Sequence, residues 1–513
     1  MLAKIHSAAI FGLDALPVEV EVDLQGGLHS FNIVGLADTA VQESKQRVSA
    51  AIKNSGAEPP NRRNKKVTVN LAPADFKKEG SLYDLPIAIG YLLASGQILP
   101  FEPKGKLFIG ELSLDGRLRP VSGVLTVALS ARKLGVKTLY LPKENAGEAA
   151  LVKNLQVIGA ENLGELILHL ENKAVLEPEK PKSLEEMTSA ETDDGNWLQI
   201  KGQEQAKRAL EIAAAGGHNV LMIGPPGSGK TLLARSVPLI LPKMELDEAL
   251  EVTKIYSVAG QLPAGRPLVG QRPFRSPHHT ASGVALVGGG AWPRPGEISL
   301  AHRGVLFMDE FPEFQRQVLE NLRQPLEDGF ITVSRAQGAV SFPAKFILIA
   351  AMNPCPCGYL GDPEKECKCA PGHIIKYQRK VSGPLLDRID LHIEVPRQSF
   401  EKLAGDSEAG EDLASVKARI EAGRQIQRQR FAAEKEKIFN NAEMNATQIK
   451  KYCQIDPPGL NLLRTAVNQF QLSARSYHRL LKVSRTIADL EQSPKIEARH
   501  VGEAIQYRPK VDE

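Results

Sequence analysis

The most specific chemical pattern in the chain is the run Gly224, Pro225, Pro226, Gly227, Ser228, Gly229, Lys230 and Thr231, which fits G-x-x-x-x-G-K-[ST]. Glycines at this spacing let the backbone curl so that several N–H groups face one phosphate. The lysine can then reach the β- and γ-phosphates of a nucleoside triphosphate, and the threonine hydroxyl can bind Mg²⁺. A strand pattern, NVLMI, precedes the run and a helix pattern, TLLARSVPLIL, follows it. The N-terminus of that helix adds positive potential at the same place.

Two further runs end in groups that suit the same chemistry. In GVLFMDEF, the apolar residues Val305 to Met308 read as a buried strand with Asp309 and Glu310 at its C-terminal edge. The first acid can hold Mg²⁺ through water, and the second can polarise an attacking water. KFILIAAMN reads as another buried strand and ends in Asn353, whose amide can position that water or feel the γ-phosphate. In open parallel sheets ligands collect at the carboxyl ends of strands, so three strand ends are expected to converge on one nucleotide. Arg388, in LLDRIDLHIEV, and Arg475, in LSARSYHRLLK, are candidates for stabilising the charge that develops on the transferring phosphoryl group.

A different chemistry is offered by NPCPCGYLGDPEKECKCAPG. Cys355, Cys357, Cys367 and Cys369 are spaced C-x-C-x₉-C-x-C. Four thiolates can close a tetrahedral Zn²⁺ site. Free thiols and redox pairs are the other readings, because C-x-C is tighter than the usual C-x₂-C. Cys453 stands apart and is expected to pack in a core. The adjacent His278 and His279, in RPFRSPHHTASG, would point to opposite faces of a strand, which disfavours one metal held by both. Arg475, Arg479 and Lys482 share a helical face, to which solvent and nucleic acid are equally suited.

The elements that must position these groups fall into segments. Residues 1–170 alternate strand and helix patterns: AVQESKQRVSAAIKNSG puts Val41, Val48 and Ile52 on one helical face, KKVTVNLAP alternates with period two, and KLFIGELSLDGRLRPV reads as a hairpin closed at Asp115-Gly116. Residues 171–196 are rich in Pro, Glu, Lys and Ser and read as a linker. Residues 197–397 hold the phosphate motif and the apolar strands, together with a hairpin, EDGFITVSRAQGAVSFPAKF. Residues 398–513 read as mostly helical. The expected class is α/β, with a helical C-terminal region.

The whole chain has 513 residues, 42% of them apolar and 24% charged, with a formal net charge of +4. That is ordinary for a globular protein and compatible with a polyanionic partner. No apolar run reaches the length of a membrane span, and the N-terminus reads as the first strands of a domain, so no membrane partner is expected. A cytoplasmic location follows as the default, and it favours metal over disulfides for the cysteine cluster.

The stretches IKGQEQAKRALEIAAAGGHNVLMIGPPGSGKT, RPFRSPHHTAS, GEISLAHRGVLFMDEFPEF, LRQPLEDGFITVSRA, SGPLLDRIDLHIEV and LSARSYHRLLKVSRTIADLE together resemble AAA+ ATPases of the magnesium-chelatase-like branch, the ComM or YifB family. The resemblance runs over nearly the whole chain. It implies that Lys230 is the Walker A lysine, that Asp309 and Glu310 are the Walker B pair and that Asn353 is sensor 1. It places Arg388 where the family has an arginine finger and Arg475 where it has sensor 2. A finger acts on a neighbour's nucleotide, so a ring is implied, hexameric in this family, with the C-terminal helices as a lid. The cofactors implied are ATP and Mg²⁺. The implied function is DNA translocation on single-stranded or branched substrates, with helicase or branch-migration activity in recombination or natural transformation. The alternative is a chelatase-type remodeller of a protein partner or of a metal-insertion complex. The resemblance also makes RPFRSPHHTASG an insert facing a ring pore.

Residues 107–149 are similar to the proteolytic domain of Lon. The Lon pattern puts a Ser nucleophile at about Leu82 and its Lys at about Val127, both apolar here. The expectation is therefore a Lon-like fold without proteolysis.

Overall fold

The computed structural model describes residues 2–62, 64–180, 197, 200, 202–263, 265–290, 293–335, 338–398, 411–435 and 437–508. The chain divides into two compact units, Met1–Ser189 with Glu245–Gly270 and Pro293–Pro295, and Ala190–Met244 with Gln271–Trp292 and Gly296–Glu513.

The first unit carries a four-stranded sheet in the order Leu2–Phe11, Asp14–Gly26, Lys65–Ala72, Ser30–Val34. The pairings are antiparallel except the last, which is parallel. The alternation in KKVTVNLAP puts Val67, Val69 and Leu71 into the core and leaves Thr68 and Asn70 between them half-buried. A second, parallel sheet joins Lys106–Phe108, Thr138–Pro142 and Gln156–Ala160. Asp115-Gly116 closes a short antiparallel pair, Glu111–Leu112 with Leu118–Arg119, and Gly116 stands at φ +89°, where a side chain would be strained.

Helix Thr39–Asn54 buries Val41, Val48 and Ile52 as the pattern predicts. It also carries a polar tie: Arg47 Nε donates to the buried Asp84 at 2.6 Å and Ser44 Oγ at 2.5 Å. Burial pushes the Asp84 carboxyl up, and these donors pull against that. Leu82 and Val127 are buried apolar side chains, with neither nucleophile nor base. The neighbouring Ser81 donates to Glu111, a partner that the sequence does not suggest.

Helix Leu246–Ala259 falls within the segment assigned from sequence to the central domain, yet it packs in the first unit, against helix Val124–Lys133. Ser257 fixes it there. Its hydroxyl donates to the buried Glu148, and its carbonyl accepts from Gly123 N–H at 3.0 Å. An apolar helical face is visible in sequence, but which core it enters is not. Of the expected linker, Glu179 N–H donates to Val157 O at 2.9 Å and its carboxylate meets Lys143 at 2.9 Å. Residues 181–196 lie outside the described residues.

The second unit carries a five-stranded sheet in the order Phe274–Arg275, Val305–Met308, Ile347–Met352, Val220–Ile223, Leu391–Glu394, parallel throughout. Val305–Met308 and Ile347–Met352 are buried at every position. Being covered on both faces is why such strands read as unbroken apolar runs, and each large side chain so buried contributes about 2 kcal/mol.

The C-terminal helices Leu413–Phe431, Ala474–Leu490 and Ala498–Gln506 share this core with the sheet and with helix Glu204–Gly216. At its polar centre Asp489 accepts from Arg430 at 2.7 Å, Arg485 at 3.0 Å and Asn441 at 2.8 Å. A mixed α/β chain with a parallel sheet and a helical C-terminal region fits the magnesium-chelatase-like AAA+ fold. No described helix is long and apolar enough to cross a membrane.

Candidate functional site

Because the sheet of the second unit is parallel, Ile223, Met308 and Met352 all end at the same edge. The chain leaves them as the glycine-rich loop, as Asp309-Glu310 and as Asn353. The loop is shaped by its glycines. A Cβ on Gly224 would stand 2.1 Å from Val395 O, so only glycine lets the loop start against the adjoining chain. Gly227 and Gly229 stand at φ +77° and +92°, and a Cβ on either would meet nothing within 4 Å. The loop is therefore curled around open space, at the N-terminus of helix Lys230–Ile240. This is the shape and polarity that a phosphate needs.

Lys230 is nearly buried. Its Nζ donates to Gly224 O and Pro225 O, each at 2.8 Å, and lies 3.4 Å from Asn353 Oδ1. Burial lowers its pKa, and the Asp309 charge opposes that shift. Thr231 Oγ1 donates to Asp309 Oδ2 at 2.7 Å, which brings together the hydroxyl and the carboxylate that a Mg²⁺ ion would use. The three strand ends thus meet as the sequence predicts.

Glu310 stands at φ +51°, a left-handed conformation that is costly for a non-glycine residue and concentrates at functional sites. It turns its exposed carboxylate to His279, with Nδ1 to Oε2 at 2.9 Å. The His279 ring also lies 4.2 Å from that of His278, tilted by 33°, and makes an edge contact with Phe314. The histidine pair is thus a link from the Gln271–Trp292 segment to the candidate base. Its position in RSPHHTAS gives no hint of this contact.

The two arginines lie elsewhere. Arg388 is 5% exposed and donates to Pro384 O at 2.6 Å and to Glu327. Arg475, on a side chain 64% exposed, donates to the other oxygen of Glu327 at 2.5 Å. Among the described residues neither contacts the phosphate loop. The structure therefore joins Arg388 and Arg475 to each other through one carboxylate, which the guanidinium charges hold below the usual glutamate range. Glu327 is a partner of both arginines that sequence reasoning misses, because an acid near a helix end looks like any surface charge.

Arg479 and Lys482, for which solvent or nucleic acid was expected, are engaged inside the unit. Arg479 pairs with Asp390 at 3.4 Å and Lys482 donates to Ala442 O at 2.7 Å. The hairpin Phe330–Arg335 with Gly338–Pro343 forms as predicted.

The four clustered cysteines come together. Sγ of Cys355 is 3.4 Å from that of Cys357 and 3.6 Å from that of Cys367, and all four sulfurs lie within 4.8 Å of one another. Cys453 is buried in the core of its unit, where burial pushes its thiol up to about 12.

Family models described as magnesium chelatase, subunit ChlI, match residues 196–403; as subunit ChlI of Mg-chelatase, residues 20–145; and as its C-terminal part, residues 410–508. The uncharacterized protein YifB of Escherichia coli K12 is 44% identical over 508 residues, covering 99% of this chain and 97% of its own. The competence protein ComM of Haemophilus influenzae is 44% identical over 514 residues, covering 99% and 98%. The chloroplastic magnesium-chelatase subunit ChlI of Chlamydomonas reinhardtii is 26% identical over 287 residues, covering 50% and 63%. Full-length likeness to the first two, with the chelatase models spread over both units, shows that the chain belongs to the ComM/YifB family of magnesium-chelatase-like proteins.

Proposed function

We propose that this chain is an ATP-hydrolysing AAA+ motor that assembles as a ring, hexameric by family resemblance, and acts on single-stranded or branched DNA in the cytoplasm, as a helicase or in branch migration. The observation that carries the ATPase reading is the meeting of Lys230 with Asn353 and of Thr231 with Asp309 around the curled loop. When bound, Mg²⁺ would neutralise phosphate charge between the Thr231 hydroxyl and the Asp309 carboxylate. Lys230 would exchange its loop carbonyls for phosphate oxygens. Glu310 would orient water, and Asn353 would stand beside the transferring group. Arg388 would be lent to the nucleotide of an adjacent copy, and Arg475 would serve as sensor 2.

The DNA reading is supported by the competence protein among the relatives and by the His278–His279 segment and the Phe330–Pro343 hairpin as pore elements. The first unit is proposed as a Lon-like, non-proteolytic scaffold. The test is ATP turnover across a panel of DNA substrates. Stimulation by single-stranded or forked DNA, with binding that weakens steeply as salt rises, is the expected result. Absence of stimulation by every DNA would favour the second reading, a remodeller of a protein or metal-insertion complex. That reading draws on the chelatase models and on the chelatase subunit aligned with half of the chain.

A further inference from the structure

Between Asn353 and helix Pro371–Gln378 the chain forms only turns and bends, and of the apolar and cysteine side chains from Cys355 to Cys369 only that of Cys355 is buried. A loop of this length without secondary structure or an apolar core needs another source of order. The buried Asp362 carboxylate ties its own turn, accepting from the Glu364 and Lys365 N–H groups, and the exposed pair of Arg397 with Glu364 contributes little. The sulfurs supply the alternative. The separations of 3.4–3.6 Å among the sulfurs of Cys355, Cys357 and Cys367 are too long for disulfides. They are close to the roughly 3.8 Å edge of a tetrahedron with Zn–S bonds of about 2.3 Å. A mutual distance within 4.8 Å leaves room for one ion and not for a multinuclear cluster. Backbone N–H groups of Tyr359 and Lys368 reach Cys357 and that of Cys369 reaches Cys367, the outer-shell donors that thiolate ligands use.

The loop also touches the nucleotide site. A Cβ on Gly358 would stand 2.6 Å from Pro226 Cδ in the phosphate loop and 3.7 Å from Asn353 Cγ. Tyr377, just beyond the cysteines, accepts from the Asn353 backbone N–H, and Gln378 Nε2 donates to Pro354 O at 3.2 Å. We propose that Cys355, Cys357, Cys367 and Cys369 bind one zinc ion as four thiolates, and that this ion clamps the loop so that Gly358 and Tyr377 hold the phosphate loop and Asn353 in place. The clamp rests on the nucleotide reading above; the metal site does not.

The test begins with metal analysis of the full chain purified without metal affinity media. About one zinc per chain is expected; a chain without stoichiometric zinc, or with iron in its place, overturns the site. Zinc is then stripped with a chelator and restored, with binding of a fluorescent ATP analogue and far-ultraviolet circular dichroism followed together. Binding is expected to weaken roughly tenfold and to recover on zinc return, with helical signal retained. Unchanged binding overturns the clamp, and so does loss of helical signal with the metal. Gly358→Ala is expected to keep its zinc and still weaken the analogue. Normal binding by that variant would sink the proposed contact. Nucleotide binding without turnover would leave the zinc clamp standing while removing the ATPase reading.

Discussion

At the phosphate loop, Lys230 is held by carbonyls of its own loop and stands beside Asn353, while Thr231 bonds Asp309. At Glu327, two arginines from separate elements share a single carboxylate. The first cluster is made by one parallel sheet delivering its strand ends to one edge, so a single chain completes it. The second has its donors engaged by a group that a phosphate oxygen can replace, since a guanidinium binds carboxylate and phosphate with the same planar geometry. Both clusters lie in the same compact unit. What separates them is the kind of order each has: one is set by the backbone of a single sheet, and the other by side chains from distant segments that meet on Glu327.

The largest effect is expected at the first cluster. Lys230→Ala should abolish both nucleotide binding and turnover, and retained turnover in a phosphate-release assay would refute the assignment of the site. Arg388→Ala should separate the two clusters. Nucleotide binding should survive, while turnover should fall roughly 1,000-fold, the scale typical of a lost arginine finger. If the arginine acts on a neighbouring copy, mixing the Lys230→Ala and Arg388→Ala chains should restore part of the activity that each lacks alone. No restoration, under conditions where the wild type forms rings, would place Arg388 among purely structural residues, held by Pro384 O and Glu327.

The first cluster was legible in the sequence and the second was not, for a physical reason. Buried parallel strands must be apolar throughout, so Val305–Met308 and Ile347–Met352 announce themselves, and the polar residue that follows each one marks the strand end. A phosphate loop needs glycine where the backbone turns left-handed or meets a neighbour, which fixes the spacing. Nothing equivalent constrains an ion pair. Glu327, Arg388 and Arg475 are far apart in sequence and could each have faced solvent. The same holds for His279, whose contact with Glu310 depends on the path of a whole segment. It holds again for helix Leu246–Ala259, whose burial in the first unit no local pattern specifies.

A smaller effect should be visible in how the arginine region is anchored. Asp390 follows Arg388 by two residues and is buried between Arg479 at 3.4 Å, His218 at 3.5 Å and the Asn219 N–H at 3.1 Å. Burial alone would raise its pKa. The Arg479 charge, His218 and the Asn219 N–H outweigh that and hold the carboxyl far below the usual aspartate range. A carboxyl depressed in the folded state stabilises it above the unfolded pKa of about 3.9, and that contribution is lost as the pH falls further toward the folded value. Asp390→Asn should therefore cost about 3 kcal/mol near neutral pH, since it leaves the half-buried Arg479 without its carboxylate. The cost should shrink in acid, because the unfolded wild type takes up a proton that the folded carboxyl does not, and the ion pair's contribution to stability falls. Denaturant melts of both chains at neutral pH and near pH 3 measure the difference. A cost that is equal at the two pH values would mean that packing, rather than the ion pair, joins helix Ala474–Leu490 to the sheet edge from which Arg388 projects.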